Sequence, residues 1–363
     1  MDEPVERISA CNLRGGAEPL SPVATGQLNR YIGWILLGTG FVCAAWFGAG
    51  SFGWGDMPAP ANDPRTASLL GMAVLQLAAA QILSRPARIG WIRPTAEWLI
   101  GLGAAVYALG TILAVRSTGG GWLIVAGALV NLTGFMLLAG TASRWACAGD
   151  LRLILFTFAL GAVLLAVVEL MVAGPSLLLA APLGPEDGIR LRMLRLARAA
   201  GVTLPALTLL HHGLAVRADP HSRAVRWGRI GMLGGTILMA GILTAAGVTS
   251  PELRYLLLIP AIAIFVGTAT GVCLARRHAH PLEFWGWLLI LLSMAGGLLI
   301  GIVAFDGPVP PPDFLGEYTD IVRRFLRQAH IFAIVLGVVS IIISRELDRT
   351  DILGSLLHEG SSS

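Results

Sequence analysis

Ten apolar stretches of membrane-spanning length occupy most of this chain, at 31–54, 67–84, 96–115, 120–143, 151–174, 199–216, 227–248, 253–275, 284–304 and 325–344. A bilayer core about 30 Å thick takes roughly 20 apolar residues per helix. Lipid offers no partner to a backbone N–H or C=O, so each stretch must satisfy its own backbone as a helix. The stretches are apolar on all sides rather than striped, as expected where lipid solvates much of the helix surface. None alternates with the period of two that an outer-membrane barrel strand needs. Hydrophobic residues make up 55% of the 363 and charged residues only 13%, which leaves too little polar surface for a water-soluble fold. The expected fold is all-α, a polytopic bundle of about ten transmembrane helices over 31–345. A polar tail precedes it at 1–30 and a second follows at 346–363.

All 26 basic residues are arginine, a bias that a GC-rich bacterial genome produces, so a bacterial inner membrane is the expected location. The pI near 9.2 does not signal nucleic-acid binding, because an arginine excess in a polytopic protein mainly sets orientation. With ten spans both termini share one side. The segments on that side carry sixteen of the 26 arginines, which predicts that both ends are cytoplasmic. Two outer clusters, Arg190 to Arg198 and Arg323 to Arg327, sit just before helices, where arginine can snorkel to headgroups. The first tail opens on Asp2, Glu3 and Glu6 rather than a basic leader region. Cys11, Cys43, Cys147 and Cys273 are scattered without CxxC or CxxCH, so no disulfide framework, thiolate zinc site or covalent haem is implied.

The sixth span is the least regular, holding Pro205 and the pair His211–His212. The basic run 189–200 ahead of it has the composition of an amphipathic helix lying in the interface. A repeat is suggested elsewhere: RYIGWILLGTG at 30–40 echoes RWGRIGMLGGT at 226–236, and SRPARIGWIRPTAEW echoes ARRHAHPLEFWGW. Both pairings are offset by six helices, which describes a parallel repeat of two four-helix units. Small-residue pairs such as Gly231–Gly235 and Gly297–Gly301 should let helix backbones approach closely. Trp91, Trp98, Trp122, Trp145, Trp227, Trp285 and Trp287 fall near predicted helix ends, as an interfacial belt would.

Ionisable and amide groups inside spans mark candidate sites. Gln76 and Asn131 lie near mid-bilayer, where amides act as interhelical glue. Glu169 lies eighteen residues into the fifth span, about 27 Å along its axis. Six of the seven histidines fall on the expected cytoplasmic face. His211 and His212 are candidate haem ligands, and His278 and His280, an HxH beside Glu283, are candidate metal ligands. His330 stands apart in the outer half of the tenth span and is a third candidate haem ligand. The acidic, proline-rich loop DGPVPPPDFLGEYTD before that span would suit a basic soluble partner such as a periplasmic electron carrier.

A His-His pair in span six and a histidine in span ten resemble, in outline, the catalytic subunit of haem–copper oxidases. The second span lacks a histidine, the tenth lacks HxH and the His/Tyr crosslink motif is missing, so oxygen reduction is not implied. Walker A, GxSxG, DxD and HExxH are absent. The sequence leaves three functions open: a haem- or metal-binding component of a membrane redox system, a permease for a small solute, or a scaffold for other membrane subunits.

Overall fold

The computed structural model describes residues 30–36, 38, 72–77, 79–80, 92–113, 119–142, 188–215, 217–218, 222–303, 312 and 321–360. Every element among them is helical: α1 Ile92–Leu113, α2 Gly119–Ala142, α3 Gly188–Ala215, α4 Arg223–Val248, α5 Leu258–His278, α6 Pro281–Val303 and α7 Ile321–Gly360. A 3-10 turn at Pro251–Leu257 leads into α5. Helical residues also occupy 30–36 and 72–77. Five helices among the described residues are long and apolar enough to cross a membrane: Arg192–Ala215, Arg223–Val248, Pro251–His278, Pro281–Ile302 and Ala329–Asp348. The protein is therefore a multi-pass membrane protein by the length and apolarity of its helices. The span expected at 151–174 lies outside the described residues, and those at 31–54 and 67–84 lie mostly outside them.

The sixth expected span is a helix, but it begins at Gly188 rather than near 199. The run 189–200 is thus the first half of one continuous helix, not a separate surface segment. Pro205 withholds a hydrogen bond from the carbonyl one turn earlier, which belongs to Gly201, where no side chain adds to the crowding. Arg190, at the start of this helix, donates to the Thr249 carbonyl at the end of α4. The last helix also runs further than the apolar stretch, its 40 residues spanning roughly 60 Å, about twice the bilayer core.

Short connections force antiparallel neighbours. From α3 to α7 each helix packs on the next in the chain, and α3 also touches α5. The α4–α5 seam is set by Gly231 and Gly235: a Cβ on Gly231 would lie 2.5 Å from the Ala263 carbonyl oxygen, and one on Gly235 2.6 Å from Ile264. The α6–α7 seam uses Gly286 against Gly337 and Ile290 against Gly337. Rising numbers on α6 meet falling numbers on α7, so Glu283 lies level with Arg345 and Ser293 with His330. α3 and α5 finish, and α4 and α6 begin, at one end of the bundle, the Arg345 end.

Trp98, Trp122, Trp227 and Trp285 are exposed, as belt residues should be, but Trp287 is completely buried. Two residues along a helix turn by about 200°, so Trp285 and Trp287 face opposite ways. Trp287 shares the inward face of Glu283, one turn earlier.

Close packing yields a paired prediction. Gly231→Ala should destabilise the protein in detergent by about 1–3 kcal/mol through overpacking. Gly234→Ala, whose Cβ would meet nothing within 4 Å, should be neutral or stabilising by up to about 1 kcal/mol. Thermal unfolding of the two variants side by side checks both.

Candidate functional site

Glu283 sits in the first turn of α6 and is fully buried. A carboxylate there faces the positive end of the helix dipole. Its helix start is fixed by His280, whose Nδ1 accepts from the Leu282 N–H at 3.2 Å. The His280 carbonyl accepts from the Glu283 and Phe284 N–H groups.

Arg345 reaches this carboxylate from α7. Its Nε donates to Glu283 Oε1 at 3.0 Å and its Nη2 to the same oxygen at 2.6 Å. The Nη2 group also donates to the Leu210 carbonyl of α3 at 2.8 Å. Arg217, just past α3, completes the set by donating to Glu283 Oε2 at 3.4 Å. Arg217 is partly exposed, with 39% of its side chain open, whereas Arg345 has 7%. One carboxylate thus joins α6, α7 and the end of α3. The exposed partner is screened and weak, and the buried one is not.

His211 forms the floor of this cluster. It is buried, while His212 is half-buried, because adjacent helical positions diverge by about 100°. The His211 Nε2 lies 3.2 Å from Thr270 Oγ1 of α5. That hydroxyl also lies 2.7 Å from the Gly267 carbonyl, to which it can donate while accepting from an Nε2–H of His211. The His211 ring meets Trp287 edge to face, centroids 5.9 Å apart. Gly228 of α4 has no room for a Cβ, because the His211 ring and Thr270 Oγ1 fill that place. Trp287 Nε1 and Ser344 Oγ are buried without a hydrogen-bond partner among the described residues.

Elsewhere the polar groups of the spans join helices in pairs. Gln76 Nε2 donates to Asn131 Oδ1 at 3.3 Å, and both amides approach the Met72 sulfur. Thr208 and Thr236 pair at 2.9 Å across α3 and α4. His330 Nδ1 donates to the Ser293 carbonyl at 2.7 Å, and Ser293 Oγ donates to the His330 carbonyl at 2.7 Å. The ring lies against Gly297.

The candidate ligands are therefore dispersed. His330 precedes Arg345 by fifteen residues on α7, about 22 Å along the axis. His211 lies next to Arg345 through Leu210, so one haem iron cannot take both rings. His278 and His280 are exposed on the surface of the Arg345 end. Among the described residues no group of three or more His, Cys, Asp or Glu is placed to hold a metal ion. Glu169 and the acidic loop residues Asp306, Asp313, Glu317 and Asp320 lie outside the described residues.

No family model, curated protein or solved structure matches the chain.

The ion pair carries a stability prediction. Glu283→Ala, which strands Arg345 in the interior, should cost about 3–5 kcal/mol. Adding Arg345→Met should recover part of that loss, giving a double-mutant cycle with a coupling of at least about 1 kcal/mol. Unfolding in mixed micelles by increasing sodium dodecyl sulfate measures each corner.

Proposed function

We propose that the protein is a permease for a small solute, and that the Glu283–Arg345–Arg217 cluster closes the solute path at one face of the membrane. The observation that carries this reading is the fully buried carboxylate of Glu283 tying the start of α6 and the end of α3 to the middle of α7. A buried ionisable group in a membrane-spanning helix is costly and is by default a candidate functional site. Beneath the pair lie Trp287 Nε1 and Ser344 Oγ, two buried polar atoms with no partner among the described residues. They give a solute something to bond once the helices part. Parting leaves two guanidinium groups without a carboxylate, so a solute with an anionic or carbonyl group offsets that loss and shifts the equilibrium toward the open form.

The redox reading draws on His211, His212, His278, His280 and His330, and it is weaker because His330 lies about 22 Å along α7 from the end that holds the other four and no three metal-ligating residues converge among the described ones. A scaffold role draws on the apolar surface alone, which lipid equally explains. The wider frame of the proposal is a ten-span protein of the bacterial inner membrane with both termini cytoplasmic. Its orientation is supported by the exposed Arg223, Arg226, Arg229, Arg276 and Arg277 at the Arg345 end. The parallel repeat of two four-helix units gains support from α1. Its first turns hold a buried Glu97 between Pro94 and the exposed Trp98, as α6 holds Glu283 between Pro281 and the exposed Trp285.

Thiol labelling tests the closure without knowledge of the solute. Ser344→Cys, on a background without the four native cysteines, should resist a membrane-impermeant thiol reagent applied at the Arg345 end. Adding Glu283→Gln should raise its labelling several-fold while a Thr236→Cys control stays protected. Equal labelling of Ser344→Cys with and without Glu283 would rule out the gate.

A further inference from the structure

The surface of α4 and α5 at the Arg345 end carries a concentration of charge that the ion-pair cluster does not use. Arg223, Arg226 and Arg229 of α4 are exposed, as are Arg276 and Arg277 in the last turn of α5. On α4 the buried residues Val225, Gly228 and Met232 turn toward α3 and α5. Arg226 and Ile230 therefore face outward. Arg223 to Arg229 covers six residues, about 9 Å of axial depth, comparable with one headgroup layer. The close approach of Gly228 to Thr270 and of Gly231 to Gly267 brings Arg276 and Arg277 level with the first turn of α4.

Three further features suit this surface to an anion at the bilayer boundary. Neither α4 nor α5 contains an acidic residue, and Glu283 beside them is buried and held by arginines. The N-terminus of α4 presents the positive end of its dipole, with Ser222 capping only the Val225 N–H. Trp227 and Trp285 are exposed at the same level, 53% and 61%, where tryptophan sits among headgroups. The occupant of a lipid-facing surface at that depth is a headgroup, and the charge selects which one.

We propose that the α4–α5 surface formed by Arg223, Arg226, Arg229, Arg276 and Arg277 binds the phosphate of an anionic phospholipid in preference to zwitterionic lipid. Guanidinium groups can take two phosphate oxygens at once, which adds geometry to the attraction. Basic patches between helix ends on the cytoplasmic side act in this way generally. The proposal does not depend on the permease reading.

The full-length protein in phosphatidylcholine nanodiscs, titrated with phosphatidylglycerol and followed by native mass spectrometry of bound lipid, provides the test. Arg226→Gln with Arg277→Gln should weaken phosphatidylglycerol binding about tenfold or more. Arg226→Lys with Arg277→Lys should weaken it less, and Arg254→Gln at the other end should leave it unchanged. Because the arginines are exposed, thermal midpoints of the variants should match the parent, which separates lost binding from lost folding. Unchanged phosphatidylglycerol binding in the Gln pair would overturn the proposal. So would displacement of the lipid by millimolar inorganic phosphate, which would assign the surface to a free anion.

Discussion

A guanidinium and a carboxylate held 2.6 Å apart with almost no access to solvent set terms that the surrounding helices must meet. Neither charge can be left alone in an apolar interior, because stripping it of water costs several kcal/mol that only a partner offsets. Glu283 and Arg345 can meet only when the first turn of α6 is level with the twenty-fifth residue of α7. The pair therefore fixes the register of that seam. A slide of one turn, about 5.4 Å, would separate them. The Leu210 carbonyl extends the same requirement to α3. An apolar replacement of similar volume can match such a pair in stability, so its distinctive contribution is uniqueness of arrangement.

Small residues make that arrangement reachable. Without a hydrophobic force between helices in lipid, association rests on close van der Waals contact and interhelical hydrogen bonds. Gly228 illustrates both. Its missing side chain leaves the space where the His211 ring and Thr270 hydroxyl meet. Gly297 does the same for His330, and Gly271 for Trp287, whose ring carbons would lie 2.7 Å from an added Cβ. The glycines thus permit the polar contacts as well as the close backbones.

What could be read from residues alone follows from this physics. Among the described residues, apolar length marks the helices α1 to α7, since burial in lipid acts on each segment independently of its neighbours. The apolar signal of the sixth span marks a helix but not the start of that helix. The apolar signal begins near 199, whereas the helix begins at Gly188 and carries its arginines past the apolar core. Gln76 and Asn131 were legible as glue because an amide at mid-depth has few alternatives. Glu283 and Arg345 were not legible as a pair. They are 62 residues apart, Arg345 follows directly on an apolar run and reads as a loop arginine, and Glu283 reads as a companion of His278 and His280. In the sequence Trp287 reads as a belt residue beside Trp285, and only its burial in the structure shows that it shares the face of Glu283.

The histidines show how position on a shared membrane face differs from membership of a shared site. His280 uses a ring nitrogen to start a helix, His211 anchors α3 to α5, and His330 locks α7 to α6. Each answers to the nearest backbone or hydroxyl: the exposed His280 to the Leu282 N–H, and the His211 and His330 rings, which are removed from water, to partners within about 3 Å. Once these groups, the two amides and the threonine pair are assigned to joining helices, the polar capacity of the described interior is nearly used up. Trp287 Nε1 and Ser344 Oγ keep capacity in reserve, Trp287 one turn from Glu283 and Ser344 adjoining Arg345. Among the described residues Gln76 Oε1 also keeps an unspent lone pair at the amide pair, but Trp287 Nε1 and Ser344 Oγ are the ones that adjoin the buried Glu283–Arg345 pair, so a polar ligand meets charge and hydrogen-bonding capacity together there.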